Sequence, residues 1–237
     1  MGLLGKLFGG SAERKQAVSA REALPMAEEA MRGWSAAQAG EAQLCCVYTS
    51  VEDANRDVSR DGRCRAWHLD FWFPKTRTFY LVRVTDGRAK GWERPLGRSP
   101  VEYVYALYGN EDAANPYVEP VAAPADWADT PTVAQAAWEV FTATVGKELA
   151  PAVLEDYGLR CMCLNAAYLR YRHPSVQPQL LTCALPETPC YAVLITHIDI
   201  EDNDSVMVYV DATTGDVAAA ERFRFPAYFN YGNSCDW

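Results

Sequence analysis

The chain has 237 residues, 49% of them apolar and 22% charged, which is the make-up of a folded chain and excludes the disordered class. Acidic residues outnumber basic ones 31 to 22, a net charge of −9, so a general nucleic-acid binder with its Lys/Arg excess is excluded. No uncharged apolar run approaches the ~18 residues that a membrane span requires, and stable membrane insertion is not expected.

Residues 1–18 read as a flexible tail. Leu3, Leu4, Leu7 and Phe8 give it a short apolar face, but glycines at 2, 5, 9 and 10 oppose a lasting helix. Lys6 interrupts the apolar start, so neither a secretory signal nor a myristoylation site is expected. The eight cysteines then read as reduced thiols in a cytoplasmic protein rather than as a disulfide scaffold.

A helix is predicted from about Ser19 to Gln38. Ala23, Ala27, Ala30, Met31 and Trp34 recur at three- and four-residue steps, and Gly40 is the stop. Strand-like segments follow: Leu44–Tyr48, then Ala66–Phe73 beyond the Asp61-Gly62 turn, then Thr78–Val84. Asp86-Gly87 makes a hairpin into Ala89–Glu93. Val101–Tyr108 fits a strand or a short helix equally. Residues 111–129, rich in Ala and Pro, read as a linker.

The same plan then restarts. Asp129-Thr130-Pro131 is a helix start, a capping oxygen followed by a first-turn proline. Val133, Ala137, Phe141, Val145 and Leu149 form a stripe with Trp138 beside it. Strands are predicted over Leu159–Leu164, Leu180–Ala184, Tyr191–Ile198 and Ser205–Val210, and Thr214-Gly215-Asp216 turns the chain into Val217–Ala219. Each half thus reads as a long helix followed by antiparallel strands, so an α+β class of two related units is expected. The first unit spans 19–110. The second spans 130–237 and ends in an aromatic tail containing Phe223, Phe225, Tyr228, Phe229, Tyr231 and Trp237. Residues 1–110 hold 16 Lys/Arg against 13 Asp/Glu, net +3, and residues 111–237 hold 6 against 18, net −12. The halves can therefore attract each other, or the acidic one can face a basic partner.

The segment Val208-Tyr209-Val210-Asp211-Ala212-Thr213-Thr214-Gly215-Asp216-Val217 resembles the closing hairpin of PepSY-like domains, which are small cystatin-like α+β units. The helix opening at Thr130-Pro131 and the strand from Tyr191 to Ile200 sit where that family has them. The resemblance covers about 130–220, with a weaker echo over 20–95, so a diverged tandem pair is what it suggests. It implies an inhibitory or binding module without catalytic residues.

Candidate sites are few. Cys161-x-Cys163 with His173, Cys183 and Cys190 offers thiolate and imidazole ligands but lacks the second knuckle of a structural zinc site, so core cysteines are expected and no metal or cofactor. Cys45 and Cys46 should point to opposite faces of their strand. The acidic turn at 199–204 lacks the glycine and distal Glu of a calcium loop. His68, His173 and His197 lie in no nucleophile elbow, and no phosphate or dinucleotide loop occurs. Alternation in the strand 66–73 puts Trp67, Leu69, Phe71 and Phe73 on one face and His68, Asp70 and Trp72 on the other. This second set is the candidate binding surface, unless the other half or the aromatic tail covers it. The reading is a non-enzymatic protein-binding module (adaptor, inhibitor or immunity-type protein). A carrier or sensor with a ligand cavity between sheet and helix is its alternative, and an unrecognised enzyme comes third. The expected partner is a protein, and a homodimer fits as well.

Overall fold

The structure, a computed structural model, describes residues 17–34, 41–49, 59–76, 78–93, 122–164, 189–198 and 203–224. The N-terminal tail before Ala17, Val101–Tyr108, the strand expected over Leu180–Ala184 and the aromatic tail beyond Arg224 lie outside the described residues.

Helix α1 runs from Ala20 to Trp34. Ser19 opens it with a capping box: the Glu22 N–H donates to Ser19 Oγ (3.2 Å), and the Ser19 N–H donates to Glu22 Oε2 (2.8 Å). Ala20, Ala23, Ala27 and Met31 form its buried stripe. Four strands follow, β1 (Gln43–Tyr48), β2 (Ala66–Phe73), β3 (Thr78–Thr85) and β4 (Arg88–Glu93). Helix α2 spans Thr130–Thr144 with Asp129 as its N-cap, and a single turn, α3, covers Pro151–Leu154. Four more strands follow among the described residues, β5 (Tyr157–Leu164), β6 (Cys190–His197), β7 (Asp204–Asp211) and β8 (Val217–Arg224).

The fold is α+β, with an antiparallel sheet. The eight strands join in one sheet of order β4-β3-β2-β1-β5-β6-β7-β8, rather than in the two sheets that the sequence suggests. Strand β1 meets β5 antiparallel at Val47–Leu164 and Tyr48–Cys163, so a pairing between distant segments merges the two meanders. Both long helices lie on one face, α1 over β2–β4 and α2 over β6–β8, and share a single apolar core. That core holds the Trp67, Leu69, Phe71 and Phe73 row, as the alternation requires, together with Val133, Ala137 and Phe141.

In the helix layer the two N-termini meet. Asp129 Oδ1 accepts from its own helix at Thr130 N (2.8 Å) and from the other helix at Arg21 N (3.1 Å). Thr130 Oγ1 accepts from Ala20 N (3.2 Å). Arg21 Nε donates to the Trp127 carbonyl (2.8 Å), and its guanidinium lies 4.5 Å above the Trp127 ring. One carboxylate therefore faces the positive ends of two helices. The β1–β2 connection reinforces this contact. Gly62 (φ +75°) presses on the first turn of α2, where an added Cβ would run into the Thr130 carbonyl and lie 2.9 Å from the Ala134 Cβ. Arg60 in the same loop donates to the carbonyls of Leu154, Glu155 and Tyr157 and covers the Trp138 ring at 4.6 Å.

Gly62→Ala is expected to destabilise by about 3 kcal/mol or more, because strain and a backbone clash coincide. Gly87→Ala, at φ +76° in open space, should cost only about 1 kcal/mol. Urea unfolding of both variants checks the difference. The Arg63 guanidinium, then the Ser19 N–H, hold the Glu22 carboxyl below its usual range. A depressed folded pKa contributes stability above the unfolded value of about 4.3 and loses it as pH falls through the folded value. Glu22→Gln should therefore lower Tm at pH 7, and the deficit should vanish in acid, as thermal scans at pH 7 and about pH 2.5 would show.

Candidate functional site on the second face of the sheet

The face away from the helices is built in rows by the strand register. One row runs Lys90, Arg83, His68, Tyr48, Cys163, Ala192, Tyr209 and Ala219. A neighbouring row runs Trp92, Leu81, Asp70 and Cys46. His68, Asp70 and Trp72 share this face, as the alternation of β2 predicts. Asp70 is 1% exposed and Trp72 3% exposed, while His68 is half-buried and stacks on Tyr48 with ring centroids 5.0 Å apart. Trp72 packs against Cys45 and Leu81. Asp70 and Trp72 are therefore buried and His68 is half-buried, rather than all three being presented outward.

Cys45 and Cys46 do not point to opposite faces. A bulge between Leu44 and Cys46 inserts an extra residue opposite β2 and breaks the alternation. Leu44 and Val47 remain on the core side, and both thiols turn to the second face. Cys46 joins Tyr48 and Cys163 there, with Cys46 Sγ 3.6 Å from Cys163 Sγ. Strand β5 carries the matching irregularity, between Leu159 and Cys161. It places Arg160 where burial lowers its guanidinium pKa.

Among the described residues, no three His, Cys, Asp or Glu side chains gather as a metal site would need. Burial, then the Asp70 charge, pushes the Cys45 thiol up to about 12, against the opposing hydrogen bond at the Trp72 backbone. Such a thiol is a weak nucleophile at neutral pH. His197 lies away from this group, its ring nitrogens near Asn203 Nδ2 (3.1 Å) and Asp156 Oδ2 (3.8 Å). The calcium-like turn at 199–204 is described only from Asn203 onward, and His173 and Cys183 lie outside the described residues.

At its β4 end the second face opens. Trp92, on the outermost strand, is 41% exposed, beside the exposed Lys90 and Arg88. In the sequence Trp92 is one residue of the hairpin after Asp86-Gly87 and does not stand out. Period-two alternation carries that signal, because it sets Trp92 and Lys90 on one face.

No family model matches the chain, and no curated protein matches it. Among solved structures, the crystal structure of a candidate lipoprotein from Clostridium difficile 630 aligns over 89% of this chain and 97% of its own, at 10% identity and a TM-score of 0.41. That likeness is too distant to carry an argument. Among the described residues, no helix is long and apolar enough to cross a membrane.

Native protein at pH 8 should alkylate at Cys45 at least about 100-fold more slowly than protein in urea, where the thiol has its ordinary value near 8.5. Timed iodoacetamide labelling with peptide mass mapping measures both rates, and equal rates would contradict the burial.

Proposed function

We propose that the protein is a non-enzymatic, cytoplasmic binding module of two related α+β units, and that it recognises another protein at the β4 end of its second sheet face. The observation that carries this reading is Trp92. A large aromatic side chain is left 41% exposed at a sheet edge, flanked by two cations and continuous with the Leu81–Asp70 row. Aromatic anchors with a charged rim are what protein interfaces favour. The cations Arg88 and Lys90 also discourage random edge-to-edge pairing. The partner that fits is a protein presenting an apolar pocket rimmed by Asp or Glu. Among the described side chains, Cys45, Cys46, Cys64, Cys163 and Cys190 are thiols, which supports the cytoplasm in this reading.

Several features support the duplication. Both long helices have 15 residues, and Ala23, Ala27 and Met31 in one fall at the same steps as Val133, Ala137 and Phe141 in the other. The first strand after each helix carries a bulge at Leu44/Cys46 or Leu159/Cys161. The last hairpin of each half turns on a glycine with positive φ, Gly87 at 76° and Gly215 at 78°. The matched caps are Ser19 and Asp129, so Trp34 aligns with Thr144. Kinship with PepSY-like domains extends the same reading to each unit.

A photo-crosslinker in place of Lys90, in cells that make the protein natively, should trap one partner, and Trp92→Ala should reduce that adduct at least about 10-fold. The same crosslinker in place of Val217, on the opposite edge, should give none. Equal labelling from both edges, or an adduct indifferent to Trp92, refutes the interface.

A further inference from the structure

We propose that Cys46 and Cys163 are a redox-active thiol pair that closes to an internal disulfide and ties β1 to β5 at the junction of the two halves. The two sulfurs are 3.6 Å apart, and both are buried. Both lie close to the Leu164 carbonyl, Cys46 Sγ at 3.2 Å and Cys163 Sγ at 3.6 Å. Cys163 is registered against Tyr48, so Cys46 reaches it diagonally across the ladder, and side-chain rotation with a local shift of β1 against β5 brings such sulfurs to the ~2.05 Å of a bond. Cys45, next along β1, turns instead to Trp72 and Leu81, so the bulge leaves Cys46 as the thiol beside Cys163.

The position gives the bond its consequence. Among the described residues, β1 and β5 share two registered pairs, whereas β2 and β3 share eight. This is the shortest ladder among the described strands, and Cys46 and Cys163 lie 117 positions apart in the chain. A covalent link there constrains a long loop of the unfolded chain, the condition under which a disulfide stabilises most.

The oxidant is a low-molecular-weight disulfide such as oxidised glutathione. One protein thiol loses its proton and attacks a glutathione sulfur, forming a mixed disulfide and releasing one glutathione thiol. The second protein thiolate attacks the protein-bound sulfur, the protein disulfide forms, and the second glutathione thiol leaves. Two cysteines are oxidised and one glutathione disulfide is reduced. Because both thiols are buried, exchange waits on local opening of the face, so oxidation reports how often this junction opens.

The test uses the full chain with Cys45→Ala and Cys161→Ala, which leaves the pair intact and makes the assignment unambiguous, titrated with oxidised glutathione. Fragment-ion mapping without reduction should find Cys46 joined to Cys163, and Tm should rise by about 5 °C or more and fall back with dithiothreitol. Adding Cys163→Ala should abolish both effects. If a variant does not fold, the map of the unmodified chain decides. Glutathione adducts without an internal bond, a bond to another cysteine, or a Cys46–Cys163 bond that leaves Tm unchanged would each overturn the proposal.

Discussion

The carboxylate of Asp129 stands where two helices begin. Two long helices on one face of a sheet could each end anywhere above it. Here their first turns are brought together, so that two sets of unpaired N–H groups and two positive dipole ends face each other. Left alone, that arrangement is repulsive. Asp129 relieves it by accepting from both helices, Thr130 Oγ1 accepts a further donor, and Arg21 is held off on the Trp127 carbonyl and ring. Tyr191 reinforces the site from the sheet, its hydroxyl donating to the Ala128 carbonyl (2.9 Å). Once the helix starts are joined, the strands beneath them have little freedom, and β1 and β5 become neighbours.

That constraint explains the distribution of side chains between the two faces. The helix-facing side is continuously apolar from Val84 to Val210, because one core serves both helices. Among the described residues no helix packs on the opposite face, which carries thiols, an imidazole, carboxylates and guanidinium groups in rows. The two bulges sharpen the contrast. Each inserts an additional residue, Cys45 in β1 and Arg160 in β5, and the one in β1 turns a thiol away from the core.

Much of this is legible in the amino-acid order. Helix α1 announces itself by the Ser19-x-x-Glu22 box and its four-residue steps, and α2 by Asp129-Thr130-Pro131. The hairpin at Asp86-Gly87 and the alternation of β2 are equally plain, because turns and periodicity are local properties. What escaped sequence reading is non-local or breaks the local rule. Period two sets Cys45 and Cys46 on opposite faces, and a bulge imposed by pairing with β2 overrides it. The approach of Cys46 to Cys163 depends on a ladder between segments more than a hundred residues apart, for which no sequence pattern exists.

By itself the sequence determined the element types, their order and the inward stripe of each helix, since backbone propensity, capping and hydrophobic period act over a few residues. It also determined which of His68, Asp70 and Trp72 share a face. The tertiary structure alone decided that two meanders become one sheet, that both helices share one core, and that the second face buries Trp72 while exposing Trp92. Those outcomes follow from long-range pairing and from competition for cover, which depend on the whole chain at once and are written in no single segment of it.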